Sequence, residues 1–482
     1  MNSKIRLGGM LVLTAVTGSF VPLTVHGQPQ ITMTDLGIAG AAYAINEVGQ
    51  VAGQSDVTDH AFVWTPDSGF QHLGSLGAAS WALDVNELGQ VAGASYADDG
   101  RLHAFRWTPE GGEMEDLGTL PGATWSNGYF INNLGQVAGE SGEPRHVFLW
   151  TPDGAMEDLG TLGGTYSEIA GPFPGQGLND AGQVAGASQL LSGIYSAFRW
   201  TDAMEDLGTL GGIYSRAESM NNSGHVVGWS RSAYEAIFHA FRWTPEQGME
   251  DLGAFEDNAY TIAFAINDVG QVAGMSYDAA SGNRHVLLWD ENGTMEDIDG
   301  PPEPWNNNFI IRAFNDLGHV AATGYSGSTY NVYRGFLWTR DGGWQDLCAD
   351  SSRCDVRDCN DAGQCVGFVE TAENVWHAAL WDVELAPPTP QEQIEQILAE
   401  IDALVDAGAL ARGPATALTQ KLKNAERLLA DGKMIPAINQ IESFIKTLEA
   451  FMKPETPLIS PDDGLALIDA AEAIIEELQS SQ

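Results

Sequence analysis

Residues 44–53 read AINEVGQVAG. Nearly the same string returns as DVNELGQVAG, FINNLGQVAG, GLNDAGQVAG and AINDVGQVAG, and in three looser forms. Aligned on its asparagine, the motif falls at Asn46, Asn86, Asn132, Asn179, Asn221, Asn267, Asn315 and Asn360, spaced 40 to 48 residues apart. A fixed period of this length is the mark of a repeat architecture.

A second signal follows each copy. HAFVW, HAFRW, HVFLW, SAFRW, HAFRW, HVLLW, RGFLW and HAALW end at Trp64, Trp107, Trp150, Trp200, Trp243, Trp289, Trp338 and Trp381. A turn such as TPDG comes next, then a third signal, typically MEDLG. Before each Asn, apolar and small residues alternate, as in a half-buried strand. N-x-x-G is a tight reversal, because Asn and Gly tolerate the positive φ it needs. Four short strands in about 45 residues make one propeller blade, and a single blade cannot bury its own faces.

The fourth-strand motif also occurs eight times, but out of step. Its first copy, ITMTDLG (31–37), precedes the first Asn motif, and the last repeat stops at HAALWDV. The leading strand can therefore complete the last blade and remove an open sheet edge. This predicts a mainly β fold over 31–383: an eight-bladed β-propeller closed by the N-terminal strand. An open β-solenoid is the rival, but it has no use for a displaced strand.

GQVAG, HAFRW and DLGTLGG resemble the bacterial extracellular HAF repeats, named for His-Ala-Phe, over residues 31–383. The resemblance implies export and no established enzymatic activity. The seventh and eighth copies depart from it, with GHVAATG and GQCVG.

The chain opens with Lys4 and Arg6, then an apolar run to Val25 broken by Gly8, Gly9, Gly18 and Pro22. Residues 1–27 read as a secretory signal peptide cut after Gly27. No other segment approaches the ~20 apolar residues that span a bilayer. Net charge is −43, which repels nucleic acid and anionic membranes. The acids are spread along the chain, as on a solvated surface, and no D-x-[DN]-x-[DN]-G calcium loop occurs.

All four cysteines lie between Cys348 and Cys365. In an exported chain they suggest two disulfides. Their C-x5-C-x4-C-x5-C spacing lacks the C-x2-C pairs of zinc sites. The expected pairs are Cys348–Cys354 and Cys359–Cys365, the second facing across a hairpin. A covalent clamp of about 2–4 kcal/mol per bridge would then stand near the closure.

LAPPTPQ (385–391) reads as a stiff linker, placed at 384–391. Beyond it the apolar period changes from two to 3.6, predicting four helices over 392–480. Gly408 and Gly432 suit helix C-termini, Pro414 and Pro436 helix starts, and Asp462 an N-cap. LARG…ALTQKLKNAERLLADGK…AINQIESFI resembles the FIMAH domain, a C-terminal helical module of secreted bacterial proteins. This implies an accessory or surface-associated role with no catalytic residues. Met434 and Met452 read as core.

Comparing the copies separates scaffold from the rest. His60, His103, His146, His239, His285 and His377 hold one repeated position. They read as scaffold, each making a backbone hydrogen bond, with no metal or other cofactor expected. The DLG aspartates read the same way. The loops between strands two and three, and between repeats, vary and carry aromatics. Trp81, Trp125, Tyr195, Trp229, Tyr277, Tyr330 and Trp376 are the candidate ligand-binding residues, stacking on sugars of a glycan or cell-surface component. G-x-S-x-G, H-E-x-x-H and Walker loops are absent, which turns the reading away from catalysis.

The sequence reading is thus a secreted non-catalytic binding or scaffold protein with no nucleic-acid partner and no membrane span. Its alternatives are a propeller glycosidase or polysaccharide lyase acting on a neutral glycan, with Arg101, Arg145, Arg216, Arg231, Arg284 and Arg334 as available cations, and a purely structural envelope component.

Overall fold

A computed structural model of the protein describes residues 30–480 apart from 155, 172–174, 233–236, 256–258, 279–281, 327–331, 349–352, 385–389, 407–408, 431 and 454–457. The proposed signal peptide and all but the ends of the proposed linker lie outside the described residues. The chain divides into two compact units, 1–384 and 385–482.

The first unit is built of antiparallel sheets, six of four strands and one of seven. The second repeat is representative: Gly77–Val85, Val91–Ala97, Leu102–Trp107 and Met114–Gly118 pair in chain order. The seven-stranded sheet explains the displaced motif. Strand β1 (Gln30–Ile45) pairs through Gln30–Asp35 with Trp376–Glu384 of the eighth repeat, and through Gly40–Ile45 with Val51–Ser55 of the first. One strand thus serves as the outermost strand of the last repeat and the innermost of the first.

The repeated residues explain themselves. Every motif Asn is buried, and its Oδ1 accepts the N–H four residues on, closing the turn. Its Nδ2 donates to the backbone carbonyl of the next repeat's Asn, from Asn46 to Asn86 and onward to Asn360, which donates back to Asn46. The residue after each Asn makes a second cycle. Each backbone N–H donates to the side-chain oxygen of its counterpart, through Glu87, Asn133, Asp180, Asn222, Asp268, Asp316, Asp361 and Glu47. Both cycles return to their start after eight repeats.

The glycine of QVAG is also dictated by packing. A Cβ on Gly93 would run into the Trp81 carbonyl and the Phe105 ring, because the first strand bulges toward the second there. The ring of HAF is fully buried in five repeats, as Phe62, Phe105, Phe148, Phe198 and Phe241.

Where a backbone partner is expected for the repeated histidine, five of the six meet a side chain. Its Nδ1 meets the DLG aspartate instead: His103–Asp116 at 2.9 Å, His146–Asp158 at 2.9 Å, His239–Asp251 at 3.0 Å, His285–Asp297 at 2.8 Å and His377–Asp35 at 2.8 Å. Third and fourth strands lie antiparallel, so the two motifs face each other across them. The last pair joins residues 342 apart. Disulfides link Cys348 to Cys354 and Cys359 to Cys365, the second between register partners of a hairpin.

The second unit is four helices, α1 (Pro390–Asp406), α2 (Arg412–Ala430), α3 (Met434–Phe451) and α4 (Pro461–Ser480). Their stripes meet in one core that includes Ile397, Leu418, Leu422, Ile441, Phe444 and Ile474, with Met434 and Met452 packed against it. Gly432 takes φ +68° directly after α2, as a C-terminal glycine should. Asp462 is not an N-cap: α4 begins at Pro461, whose fixed φ suits a first helical turn. Gly408 lies outside the described residues. No helix is long and apolar enough to cross a membrane, among the residues described.

Candidate functional site

A cavity of about 560 Å³ is lined by residues of all eight repeats. Its mouth carries the acidic and amide cycle described above. Inside stand Tyr43, Leu83, Tyr129, Gln176 and Arg312, each three residues before its motif Asn. Six residue types fill that position in the eight copies, while the motif Asn after it is constant. Glu218, Phe264 and Arg357 hold it in the remaining repeats. Asp84 and Asp358 also line the cavity, each accepting backbone N–H groups, from Ile131 and Val85 and from Ile45 and Cys359. Burial pushes their carboxyls up, Asp84 to about 6 and Asp358 to about 7.

Beside the cavity, in repeats three to five, charge concentrates. The Arg216 guanidinium meets Glu168 through Nη1 and Glu218 through Nε at 2.9 Å. Trp229 Nε1 donates to Glu218 at 2.8 Å. Burial raises the Glu218 carboxyl above the usual carboxylate range, against the pull of Arg216 and the Trp229 hydrogen bond. Glu140 is buried too and shifted upward by burial, with Arg145 at 3.1 Å opposing the shift. Tyr166 bonds Glu168, and burial beside that carboxylate pushes its phenol up to about 12. Tyr129, in the cavity wall, feels the charges of Glu140 and Arg145, so cavity and cluster adjoin.

An arc of aromatic rings runs beside this cluster. Arg145 lies over both Trp125 and Tyr166. From Tyr166 the rings follow through Tyr195, Tyr214, Trp229 and Phe238 to Tyr260, with centroids 4.4 to 5.8 Å apart. Tyr214 and Trp229 are stacked, their planes 8° apart. Tyr277 faces Tyr260 in strand register and sits under Arg284. Four of the seven sequence candidates, Trp125, Tyr195, Trp229 and Tyr277, thus fall on one arc. Trp81 packs edge-on to Tyr96, and Trp376 stacks on Tyr333, both elsewhere. Tyr330 lies outside the described residues. The rings stand on strands rather than loop tips: Trp81 in Gly77–Val85, Tyr214 in Gly211–Met220, Trp229 in Val226–Ser232.

Sequence reasoning missed Glu140, Glu168 and Glu218, and counted Arg216 only as an available cation. It sought variation in loops, whereas here it lies on the innermost strands. The changing residue three before each Asn was the available signal for Glu218.

Residues 394–476 match the FIMAH domain, a match confined to the helical unit. No curated protein sequence matches the chain. Among solved structures, the chain is similar to a puromycin hydrolase S511A mutant complexed with PGG, at 14% identity and TM-score 0.42 over 71% of this chain and 59% of that one. It is similar to a puromycin-hydrolyzing peptidase of Mycobacterium tuberculosis, at 12% identity and TM-score 0.40, over 70% and 57%. A chain from a structural and mechanistic analysis of two prolyl endopeptidases gives 10% identity and TM-score 0.43, over 63% and 50%. The chain therefore spans between half and three-fifths of these neighbours' length. The expectation of a non-catalytic binding or scaffold protein runs against these neighbours, which are described as hydrolases. At such identity the likeness concerns architecture, and no substrate passes from them to this chain.

Proposed function

We propose that the repeat unit is an eight-bladed β-propeller of the HAF-repeat kind, closed by β1, and that it hydrolyses a glycan at the Arg216-centred carboxylates. The carrying observation is two carboxylates on one guanidinium, of which Glu218 is held toward its protonated form. Glycoside hydrolysis needs such a division: one carboxylic acid that keeps its proton, and one carboxylate that acts as base or nucleophile. Glu218 is the acid, donating to the glycosidic oxygen as the bond to the sugar breaks. Glu168 is the carboxylate, serving the water or the anomeric carbon. The arc of rings from Tyr166 to Tyr260 supplies the aromatic surface against which a sugar lies. Two disulfides support an exported protein, with the FIMAH-like helices as accessory unit.

The test is reducing-end release from soluble neutral polysaccharides by the full chain between pH 4 and 8. Glu218→Gln is expected to lower the rate by about 10²–10⁴-fold, the range for a general acid, with an unchanged melt. No release by the native chain across that panel, or a Glu218→Gln chain as fast as the native one, would overturn the proposal.

A further inference from the structure

Five repeats pair their histidine with the DLG aspartate, and in four of them the residue two beyond that aspartate is glycine: Gly37, Gly118, Gly160 and Gly253, all at positive φ. The sixth repeat reads MEDID, and Asp299 takes the glycine's place at φ +55°. Its backbone N–H still donates to Asp297 Oδ1 at 2.9 Å, so the turn is kept and only a carboxylate is added. That carboxylate stands 4.0 Å from His285 Nδ1, which is 2.8 Å from Asp297. The three ligand atoms lie within 4.8 Å of one another, the one such group of three among the described residues.

We infer that His285, Asp297 and Asp299 bind a single divalent transition metal of the zinc class. One imidazole nitrogen and two carboxylate oxygens are a borderline donor set that suits zinc better than calcium or magnesium. A cavity of about 300 Å³ adjoins them, lined also by Glu303, Asn306 and Asn307, with room for the waters that complete the coordination. The nearby cation does not occupy the site: the Arg284 guanidinium is directed to the Phe309 carbonyl at 3.1 Å and the Tyr277 ring. The other four pairs are internal controls, having imidazole and one carboxylate but no third ligand.

Calorimetric titration of the tag-free full chain with zinc tests this. The expected result is one site per chain at pH 7.5, weakened as the solution is acidified and protons compete for the ligand atoms. Asp299→Gly restores the residue of the other repeats, so the fold tolerates it. It should weaken binding by roughly 100-fold or more, at least the loss that follows removal of an outer-shell partner. Gly118→Asp in the second repeat should raise the stoichiometry to two. Four or five zinc ions on the native chain, or affinity unchanged by Asp299→Gly, would overturn the assignment. Calcium binding tighter than zinc would overturn the role given to the imidazole.

Discussion

Replacing Asn86 by Ala probes the hydrogen-bond cycle that links the repeats. Asn86 is 5% exposed. Truncation removes its Nδ2 bonds to the Asn132 carbonyl at 2.8 Å and to Gln90 at 2.9 Å, and takes Oδ1 from the Gln90 N–H at 2.9 Å and the Leu88 N–H at 3.1 Å. The Asn132 carbonyl keeps the Gly135 N–H at 2.9 Å, so its loss is partial. The Gln90 N–H bears most of the cost. At about 1–3 kcal/mol per buried group left unsatisfied, the change should cost about 2–4 kcal/mol. A unit of about 350 residues unfolds with an entropy of roughly 0.7 kcal/mol/K, so the midpoint should fall by about 3–5 °C. Every tryptophan precedes residue 385, so tryptophan fluorescence follows this unit alone. The decisive comparison is Asn360→Ala. Its Nδ2 bond to the Asn46 carbonyl, at 3.0 Å, spans 314 residues. If the cycle is closed, both variants lose the bond to the next repeat's carbonyl and the turn bond, and their midpoints fall by similar amounts. A loss from Asn360→Ala below a third of that from Asn86→Ala would refute the closure.

Asp84 and Asp358 titrate higher folded than unfolded, so their contribution is complete below about pH 4 and is lost as pH rises through about 6 and 7. Urea midpoints should therefore decline across that window, and Asp358→Asn should flatten the decline. A profile unaltered by that change would remove Asp358 as its source. Gly93→Ala should cost about 1–3 kcal/mol by overpacking against the Trp81 carbonyl, read as a lower fluorescence midpoint. The seventh repeat carries Ala322 at this place, so Ala322→Gly should change stability by less than about 1 kcal/mol.

The strands, the turns and the double use of β1 could be read from the chain because each is written locally and then repeated. Asn, Gly and Trp recur where the backbone needs them, and a misplaced MTDLG betrays the shared strand. The two disulfides were legible for the same reason, their cysteines being close in sequence. The candidate site was not. Glu168 and Arg216 are 48 residues apart, on adjacent repeats, and no local pattern announces that they touch. The aromatic residues were visible as a class, but their continuity from Tyr166 to Tyr260 is a property of neighbouring sheets. The histidine partner was misjudged because a strand-initial His and a later Asp look unrelated until the two strands lie side by side.

The double service of β1 sets a schedule for folding. Gln30–Asp35 is made early, and its partner Trp376–Glu384 comes more than three hundred residues later. Until that partner emerges, one end of the growing assembly offers an uncovered edge, a surface that recruits other chains. A product cut short anywhere before the eighth repeat never covers it. The lock thus works as a length check: only a chain that has delivered its last repeat can hide its first, and fragments stay marked for proteolysis or aggregation.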